Sequence, residues 1–264
     1  MADPAAPDDR PAWLREGAPQ PPRQEPPRPP PPRPPVPVVT WSVLAVNAVM
    51  LVVTALLSGG SSGFVEPSPR ALCRLGALNA AAIAEGGQWW RLLTVMVLHG
   101  GVLHFALNSY ALWVFGPLME RALGSLRMAA VYLVGGFAGS AASFAFTRTT
   151  LGVGASGAIF GLLGGLVAFL WRRRDRGGMS QLRSVLLIVA INLVFGLSIP
   201  NIDNLAHVGG FVGGLVAVWL LEAVPRRPLA QLGALAVPVA ASLALVWYGA
   251  ATLPPGTFSC AQLG

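Results

Sequence analysis

The sequence has no lysine, only two cysteines and three histidines, and charged residues make up just 11% of its 264 residues. Soluble globular domains carry about 25% charged residues, so this scarcity excludes an ordinary soluble domain. Hydrophobic residues account for 54% of the chain, and the mean hydropathy is +0.60. The composition therefore predicts a membrane protein that crosses the bilayer several times.

Apolar stretches recur along the chain at close to the length that a membrane-spanning helix needs, about 20 residues. The fourth and fifth are expected to be short, as are helices that begin inside the membrane at the wall of a cavity. The pattern predicts an all-α membrane protein, a polytopic helical bundle. The seven stretches lie at roughly 38–58, 92–115, 127–147, 156–171, 185–199, 205–224 and 231–251.

Three clusters of arginines flank these stretches. The positive-inside bias places all three on one side if the N-terminus is cytoplasmic, and seven spans then leave the C-terminus outside. We expect an integral protein of the plasma membrane in this orientation. A nucleic-acid partner is not expected, because the arginines are divided among short loops beside the spans. The clusters are Arg23, Arg28 and Arg33; Arg172, Arg173, Arg174, Arg176 and Arg183; and Arg226 and Arg227.

Residues 1–37 are rich in proline and arginine, which predicts a disordered cytoplasmic tail acting as a tether, with a docking segment as the alternative. An outside loop at roughly 58–91 contains Cys73, and Cys260 follows the seventh stretch. The predicted topology puts both thiols on the oxidising side, so a disulfide is one interpretation. Two unpaired thiols are the favoured interpretation, because disulfide geometry is demanding.

Polar residues with complementary acyl-transfer chemistry lie inside the apolar stretches, where they are costly and usually functional. Ser156 opens the fourth stretch, and His207 lies near the start of the sixth. A serine hydroxyl needs a base within hydrogen-bond reach, and a neutral imidazole is the usual one. Glycines recur every four residues after both positions, and such stripes let helices approach closely. We predict Ser156 as a nucleophile and His207 as its general base.

An oxyanion hole requires hydrogen-bond donors where the oxygen of a tetrahedral intermediate will lie. His104 and Asn108 are four residues apart, hence on one helix face, and are the predicted donors together with the backbone N–H of Ser156. Spans two, four and six all run inward, so these residues and His207 share the outer half of the membrane. A Ser156/His207 dyad is favoured, and Asp203 as a third, orienting member is the alternative.

Each feature also has a structural explanation. Glycine and serine are ordinary packing residues in membrane helices, and a single membrane histidine is more often structural than a base. Because Ala158 stands at the fifth position of the serine motif, the G-x-S-x-G elbow of soluble hydrolases is excluded. The catalytic interpretation rests on the polar residues occurring together at a common depth.

Over roughly residues 90–224 the chain resembles the rhomboid intramembrane serine proteases. The resemblance implies a six-helix core over 38–224 and a seventh helix with a short outside C-terminus over 225–264. It rests on Trp90-Arg91, His104-x-x-x-Asn108, Glu120-Arg121-x-x-Gly124, Gly154-x-Ser156-Gly157 and Ala206-His207-x-Gly209-Gly210-x-x-x-Gly214.

The same resemblance implies that Ser156 and His207 form the dyad and that His104 and Asn108 stabilise the oxyanion. The expected substrates are transmembrane proteins in the lipid bilayer, whose peptide bonds would be hydrolysed in or next to a membrane segment. No cofactor and no metal are implied, and the oligomeric state is left open.

Four further positions bear on the resemblance. Phe160 stands where several family members have a tyrosine that packs on the catalytic histidine, so the aromatic packing is expected to survive without a hydroxyl contact. His99 matches a frequent histidine with a supporting role, and we expect it to be structural. Arg91 and Glu120 are expected to anchor loops.

Two other function classes compete with proteolysis. A non-catalytic rhomboid-like protein would bind membrane clients without cutting them, but such proteins usually lose the serine or the histidine, and this chain keeps both. A small-solute transporter would show corresponding broken helices in two repeated halves, and no such repeat is evident in the sequence.

Overall fold

The computed structural model describes residues 7, 9–11, 14, 36–147, 151–176, 178–199 and 202–263. The tail predicted at 1–37 therefore lies almost entirely outside the described residues. By its contacts the chain divides into Met1–Pro34 and Pro35–Gly264, and every α-helix described lies in the second unit.

Ten α-helices make up most of the described part of this second unit. Short 3₁₀ turns are found at Ser61–Phe64, Val95–Val97, Arg174–Arg176 and Cys260–Leu263. The helices are α1 (Val38–Leu57), α2 (Pro69–Leu75), α3 (Ala80–Ala84), α4 (Arg91–Thr94), α5 (Val102–Leu123), α6 (Ser125–Phe146), α7 (Ser156–Trp171), α8 (Gly178–Ser198), α9 (Asn204–Leu221) and α10 (Pro228–Ala251).

Six of the described helices are long and apolar enough to cross a membrane: α1, α5, α6, α8, α9 and α10. The chain is thus an integral, multi-pass membrane protein built as a helical bundle. α7 has only 16 residues, as predicted for the fourth apolar stretch. The prediction of a short fifth helix was wrong, because polar residues such as Ser180 and Arg183 extend α8 to 21 residues before its apolar run begins.

The second membrane helix also begins later than predicted, at Val102 rather than near 92. Gly101 has a φ of +112° and lies against the carbonyl of Val65, leaving no room for a side chain. Only glycine adopts this backbone conformation readily. The chain therefore turns here, and the apolar residues before the turn form α4 and a 3₁₀ turn instead.

α7 lies between α6 and α9, and most of its residues are buried. A Cβ atom on Gly161 would lie 2.7 Å from the Cα of Gly135 in α6. On the other side, Gly210 and Gly214 of α9 lie directly against the backbone of Gly157 and Gly161. The predicted glycine stripes therefore do face each other, and they bring the first turns of α7 and α9 together.

Glu120 near the end of α5 fastens the start of α1. Its carboxylate accepts hydrogen bonds from the backbone N–H groups of Val39 and Thr40, at 2.9 and 3.0 Å, and from the hydroxyl of Ser125 at 2.7 Å. Orphan N–H groups at a helix start favour such an acceptor. The expectation that Glu120 is an anchoring residue is confirmed.

Residues 58–101, between α1 and α5, form a cap that contains α2, α3 and α4. Arg91 is almost fully buried in the cap and donates to the carbonyl of Ala77 at 2.7 Å, which confirms its predicted anchoring role. Cys73 in α2 forms a disulfide with Cys260 after α10. The favoured prediction of two free thiols was wrong, because the fold brings two residues 187 positions apart within 5.6 Å between Cα atoms.

Candidate active site

Ser156 and His207 are brought together by the packing of α7 on α9. Ser156 is the first residue of α7, and His207 lies in the first turn of α9. The distance between Ser156 Oγ and His207 Nε2 is 2.9 Å, which is hydrogen-bond distance. Nδ1 of His207 is buried and has no hydrogen-bond partner among the described residues. The pair therefore has the geometry of a serine with an adjacent base.

Phe160 holds the plane of the histidine ring. It lies one turn after Ser156 in α7, and its ring stacks on His207 with centroids 4.3 Å apart and planes inclined by 5°. The expectation that aromatic packing survives the change from tyrosine is confirmed. This stacking restricts rotation of the imidazole and keeps Nε2 directed at the hydroxyl.

His104 borders the space beside Ser156. Its Nδ1 accepts a hydrogen bond from the backbone N–H of Gly100 at 3.2 Å, so the tautomer consistent with this bond carries its proton on Nε2. A Cβ atom on Gly154 would lie 2.9 Å from His104 Nε2 and 3.5 Å from Ser156 Oγ. The absence of a side chain at Gly154 thus leaves His104 Nε2 and the serine hydroxyl facing one small space.

A family model of the Rhomboid domain matches residues 86–223, more than half of the chain. The chain belongs to the rhomboid family. It is 40% identical over 181 residues to the Rhomboid protease GluP of Bacillus subtilis (strain 168), a match covering 69% of this chain and 34% of that protein. It is 38% identical over 165 residues to the mitochondrial RHOMBOID-like protein 6 of Arabidopsis thaliana, covering 62% and 53%. The matches thus span between a third and about half of these relatives.

Asn108 lies one turn after His104 on the same face of this rhomboid's α5. It is 7% exposed, and its Nδ2 donates to the carbonyl of His104 at 2.9 Å. The amide is thereby held next to the predicted oxyanion donor. One of its two N–H groups is used inside the helix, which leaves the other as the group able to face a ligand.

Asp203 does not orient His207 in the way that the triad alternative requires. Its carboxylate accepts from the backbone N–H of Ala206 at 3.0 Å, which makes Asp203 the N-cap of α9. The same carboxylate accepts from the hydroxyls of Ser143 in α6 and of Thr147, the residue that follows α6. The carboxylate therefore ties the start of α9 to α6, a role that is not predicted from the sequence. The sequence signal for this role is the four-residue spacing of the two hydroxyl residues, Ser143 and Thr147.

His99 lies just before α5 and is 1% exposed. Its ring meets that of His104 edge to face, with centroids 5.4 Å apart. Burial, and secondarily the nearby His104, lowers the pKa of His99 to about 3, so this imidazole is neutral at physiological pH. A neutral ring packed on His104 supports the position of that side chain without adding charge.

A metal site finds no support in this part of the rhomboid chain. Across the described ranges there is no group of three or more histidine, cysteine, aspartate or glutamate side chains arranged to hold an ion. His207, His104 and the nearest acid, Asp203, are instead engaged in contacts to Ser156, Gly100 and the start of α9, and His99 packs on His104.

Proposed function

We propose that this rhomboid is an intramembrane serine endopeptidase in which Ser156 is the nucleophile and His207 the general base. The observation that carries the proposal is the 2.9 Å contact between Ser156 Oγ and His207 Nε2 inside a bundle of membrane helices. A polar pair at such a depth is costly unless it serves a function. Similarity to a protein named as a rhomboid protease adds support.

The chemistry begins with attack of Ser156 Oγ on the carbonyl carbon of a substrate peptide bond. His207 Nε2 takes the hydroxyl proton as the new bond forms, and the carbonyl oxygen becomes an oxyanion. When the tetrahedral intermediate collapses, the C–N bond breaks and His207 returns the proton to the leaving amine. Water then attacks the acyl-enzyme with His207 again as base, releasing the acid and restoring Ser156.

The oxyanion is assigned to the space that Gly154 leaves open. His104 Nε2–H faces this space, and the backbone N–H of Ser156 is a free donor because it is the first residue of a helix. Asn108 can direct its second N–H from the neighbouring turn. Loss of one such donor typically lowers the rate by about a hundred- to a thousand-fold.

A dyad rather than a triad accounts for the surroundings of His207. Its Nδ1 has no partner among the described residues, and the nearest acid, Asp203, is committed to the helix cap and to α6. Stacking on Phe160 supplies the orientation that a third residue provides in a triad.

The substrates proposed are membrane proteins whose transmembrane segments reach this site from the bilayer. We propose residues 38–224 as the protease core, 225–264 as an appended seventh helix with an outside C-terminus, and 1–37 as a cytoplasmic tail. With the N-terminus cytoplasmic, the site opens to the outer side of the plasma membrane. The positive-inside distribution of arginine supports this orientation.

The test is cleavage in proteoliposomes. The protein is co-reconstituted with a panel of single-span proteins that carry small residues in the outer half of the membrane segment. We expect products from the wild type and none from Ser156→Ala or His207→Ala. Ser242→Ala is the matched control, because Ser242 is a buried serine in α10 whose hydroxyl only bonds the carbonyl of Pro238.

Products from Ser156→Ala would contradict the assignment. A folded wild type that leaves the whole panel intact, while binding members of it, would favour the non-catalytic client-binding function instead.

A further inference from the structure

The segment that follows α10, residues 252–263, lies on the cap and is called the strap here. Besides the Cys73–Cys260 disulfide, the carbonyl of Leu263 accepts two hydrogen bonds from the guanidinium of Arg70, at 2.8 and 2.6 Å. The 3₁₀ turn at the end of the strap contacts both α2 and α3. The strap is thus fastened to the cap by one covalent bond and by several hydrogen bonds.

Asn79 is a buried residue of the cap that forms hydrogen bonds with the strap. It is 1% exposed. Its Nδ2 donates to the carbonyl of Phe258 at 2.9 Å, and its Oδ1 accepts from the backbone N–H of Cys260 at 3.3 Å. The same oxygen caps α3 by accepting from Ala82 N–H at 3.0 Å. A buried amide satisfied in this way loses its partners if the strap leaves, and unpaired buried polar groups are costly.

The residue before Asn79 holds the loop that presents the nucleophile. Leu78 and Gly152 form an isolated antiparallel bridge, with both backbone hydrogen bonds at 2.9 Å. Gly152 precedes Ser156 by four positions, and Gly154 donates to the carbonyl of Val95 at 3.0 Å. The cap therefore supplies three backbone hydrogen bonds to residues 151–155, the nucleophile loop.

We propose that Asn79 is a positioning residue for Ser156, and that the disulfide-fastened strap keeps Asn79 and the Leu78–Gly152 bridge in place. This inference rests on the proposed proteolytic function. Reducing the disulfide frees the strap, and Asn79 then loses its bonds to Phe258 and Cys260. A displacement of about 1 Å at a reacting group can lower a rate by about a hundred-fold, so a small shift of the nucleophile loop is sufficient.

The first experiment reduces the folded protein. A phosphine reductant converts the disulfide into two thiols while the phosphorus takes up the oxygen of one water, and iodoacetamide then blocks both thiols. We expect amide hydrogen exchange, followed by mass spectrometry, to become faster in the peptide containing Gly152 and Gly154. Exchange in α7 and α9 should stay unchanged, which shows that the bundle remains folded.

The second readout is the reaction with a fluorophosphonate. Reduction should lower kinact roughly ten-fold, within the range that misplacement of a reacting group produces, and leave KI unchanged. A strap that only stabilised the fold would move the melting temperature and leave kinact as it was. That result, together with unchanged exchange in the nucleophile loop, would overturn the inference.

Variants distinguish the proposed role of Asn79 from the general effect of losing a helix N-cap. Asn79→Ala removes both strap bonds and the cap of α3, whereas Asn79→Asp keeps an acceptor for Ala82 and Cys260 and loses only the bond to Phe258. We expect the alanine variant to match the reduced protein and the aspartate variant to lie between it and the wild type. Ser68→Ala is the control, because Ser68 caps α2 by accepting from Ala71 N–H at 3.2 Å and makes no bond to the strap. Equal losses of kinact in Asn79→Ala and Ser68→Ala would contradict a specific role for Asn79.

The experiments distinguish a failure of the proposed proteolytic function from a failure of the proposed positioning role of the strap. If the oxidised wild type does not react with the fluorophosphonate, proteolysis by Ser156 is contradicted, and the exchange experiment still tests the strap. If the oxidised protein reacts and reduction changes neither readout, the positioning role of the strap is contradicted while the catalytic assignment stands.

Discussion

At the scale of single residues, the geometry of the site depends on the space that a glycine leaves open. Ser156 Oγ lies 2.9 Å from His207 Nε2, and the space beside them exists because Gly154 has no side chain. Gly154 has a φ of +133°, a conformation that other residues rarely adopt. Backbone at this position is therefore as important to the geometry as the polar side chains are.

Gly154→Ala is expected to abolish most of the activity. The new Cβ would lie 2.9 Å from His104 Nε2 and displace it from the oxyanion space, so a loss of about a hundred-fold or more in fluorophosphonate reactivity is predicted. Gly59→Ala is the matched control, because Gly59 has a φ of +101° and open space around it in the cap. The control shares the backbone strain without the contact. Equal activity of the two variants would contradict the account of Gly154.

The buried His99 leads us to expect that the protein becomes less stable at acid pH. Burial lowers its pKa from 6.5 to about 3, so between these values the unfolded chain binds a proton that the folded chain does not. The contribution of His99 to stability is therefore fully present above pH 6.5 and is lost as the pH falls, by at most about 1.4 kcal/mol per pH unit. We expect the melting temperature to drop more between pH 7 and pH 5 for the wild type than for His99→Gln. Equal drops would show that His99 does not contribute.

At the scale of elements, the start of α9 is the part most closely tied to the chemistry. Asp203 caps this helix at Ala206 and also accepts hydrogen bonds from Ser143 and Thr147 at the end of α6. His207 follows one turn later, so the N-cap at Asp203 fixes the position of the imidazole along α9 relative to Ser156. Asp203 thus fixes the position of the helix that carries the base.

Asp203→Asn and Asp203→Ala should therefore differ. Asparagine is as good an N-cap as aspartate, whereas alanine at an N-cap costs about 1 kcal/mol. We expect Asp203→Asn to retain most of the reactivity, and Asp203→Ala to lower both the melting temperature and kinact. A large loss of kinact in Asp203→Asn without a change in the melting temperature would restore the triad alternative.

The sequence predicts most of the membrane helices, and polar groups inside apolar segments stand out as candidate site residues. Ser156, His207 and His104 could be selected in this way, and the glycine stripes predicted which helices meet. The late start of α5 could not be predicted, since it depends on Gly101 meeting Val65 in the cap. The same holds for the disulfide, whose two cysteines come together only through tertiary contacts of the strap.

At the scale of the whole molecule, the protein combines a glycine-packed bundle with a cap that α10 and the strap fasten from the far end of the chain. α7 is packed between α6 and α9, so Ser156 lies at the start of a largely buried helix. The cap reaches the same place through the Leu78–Gly152 bridge. Regions distant in sequence therefore converge on a few residues before Ser156.

The proposed orientation predicts which side of the membrane each end occupies. In intact cells, a charged phosphine and a membrane-impermeant maleimide should label Cys73 and Cys260. Arg174→Cys, in a chain with both native cysteines replaced by serine, should be labelled only after permeabilisation. Labelling of this position in intact cells would show that the orientation is the reverse of the one proposed.

The most direct test of the central claim locates the activated serine without knowledge of the substrate. The purified protein is treated with a fluorophosphonate in liposomes, and the adduct is assigned by tandem mass spectrometry. We predict a single adduct on Ser156 that forms in the wild type and not in His207→Ala. An adduct on another serine, or one on Ser156 that forms equally fast without His207, would contradict the dyad.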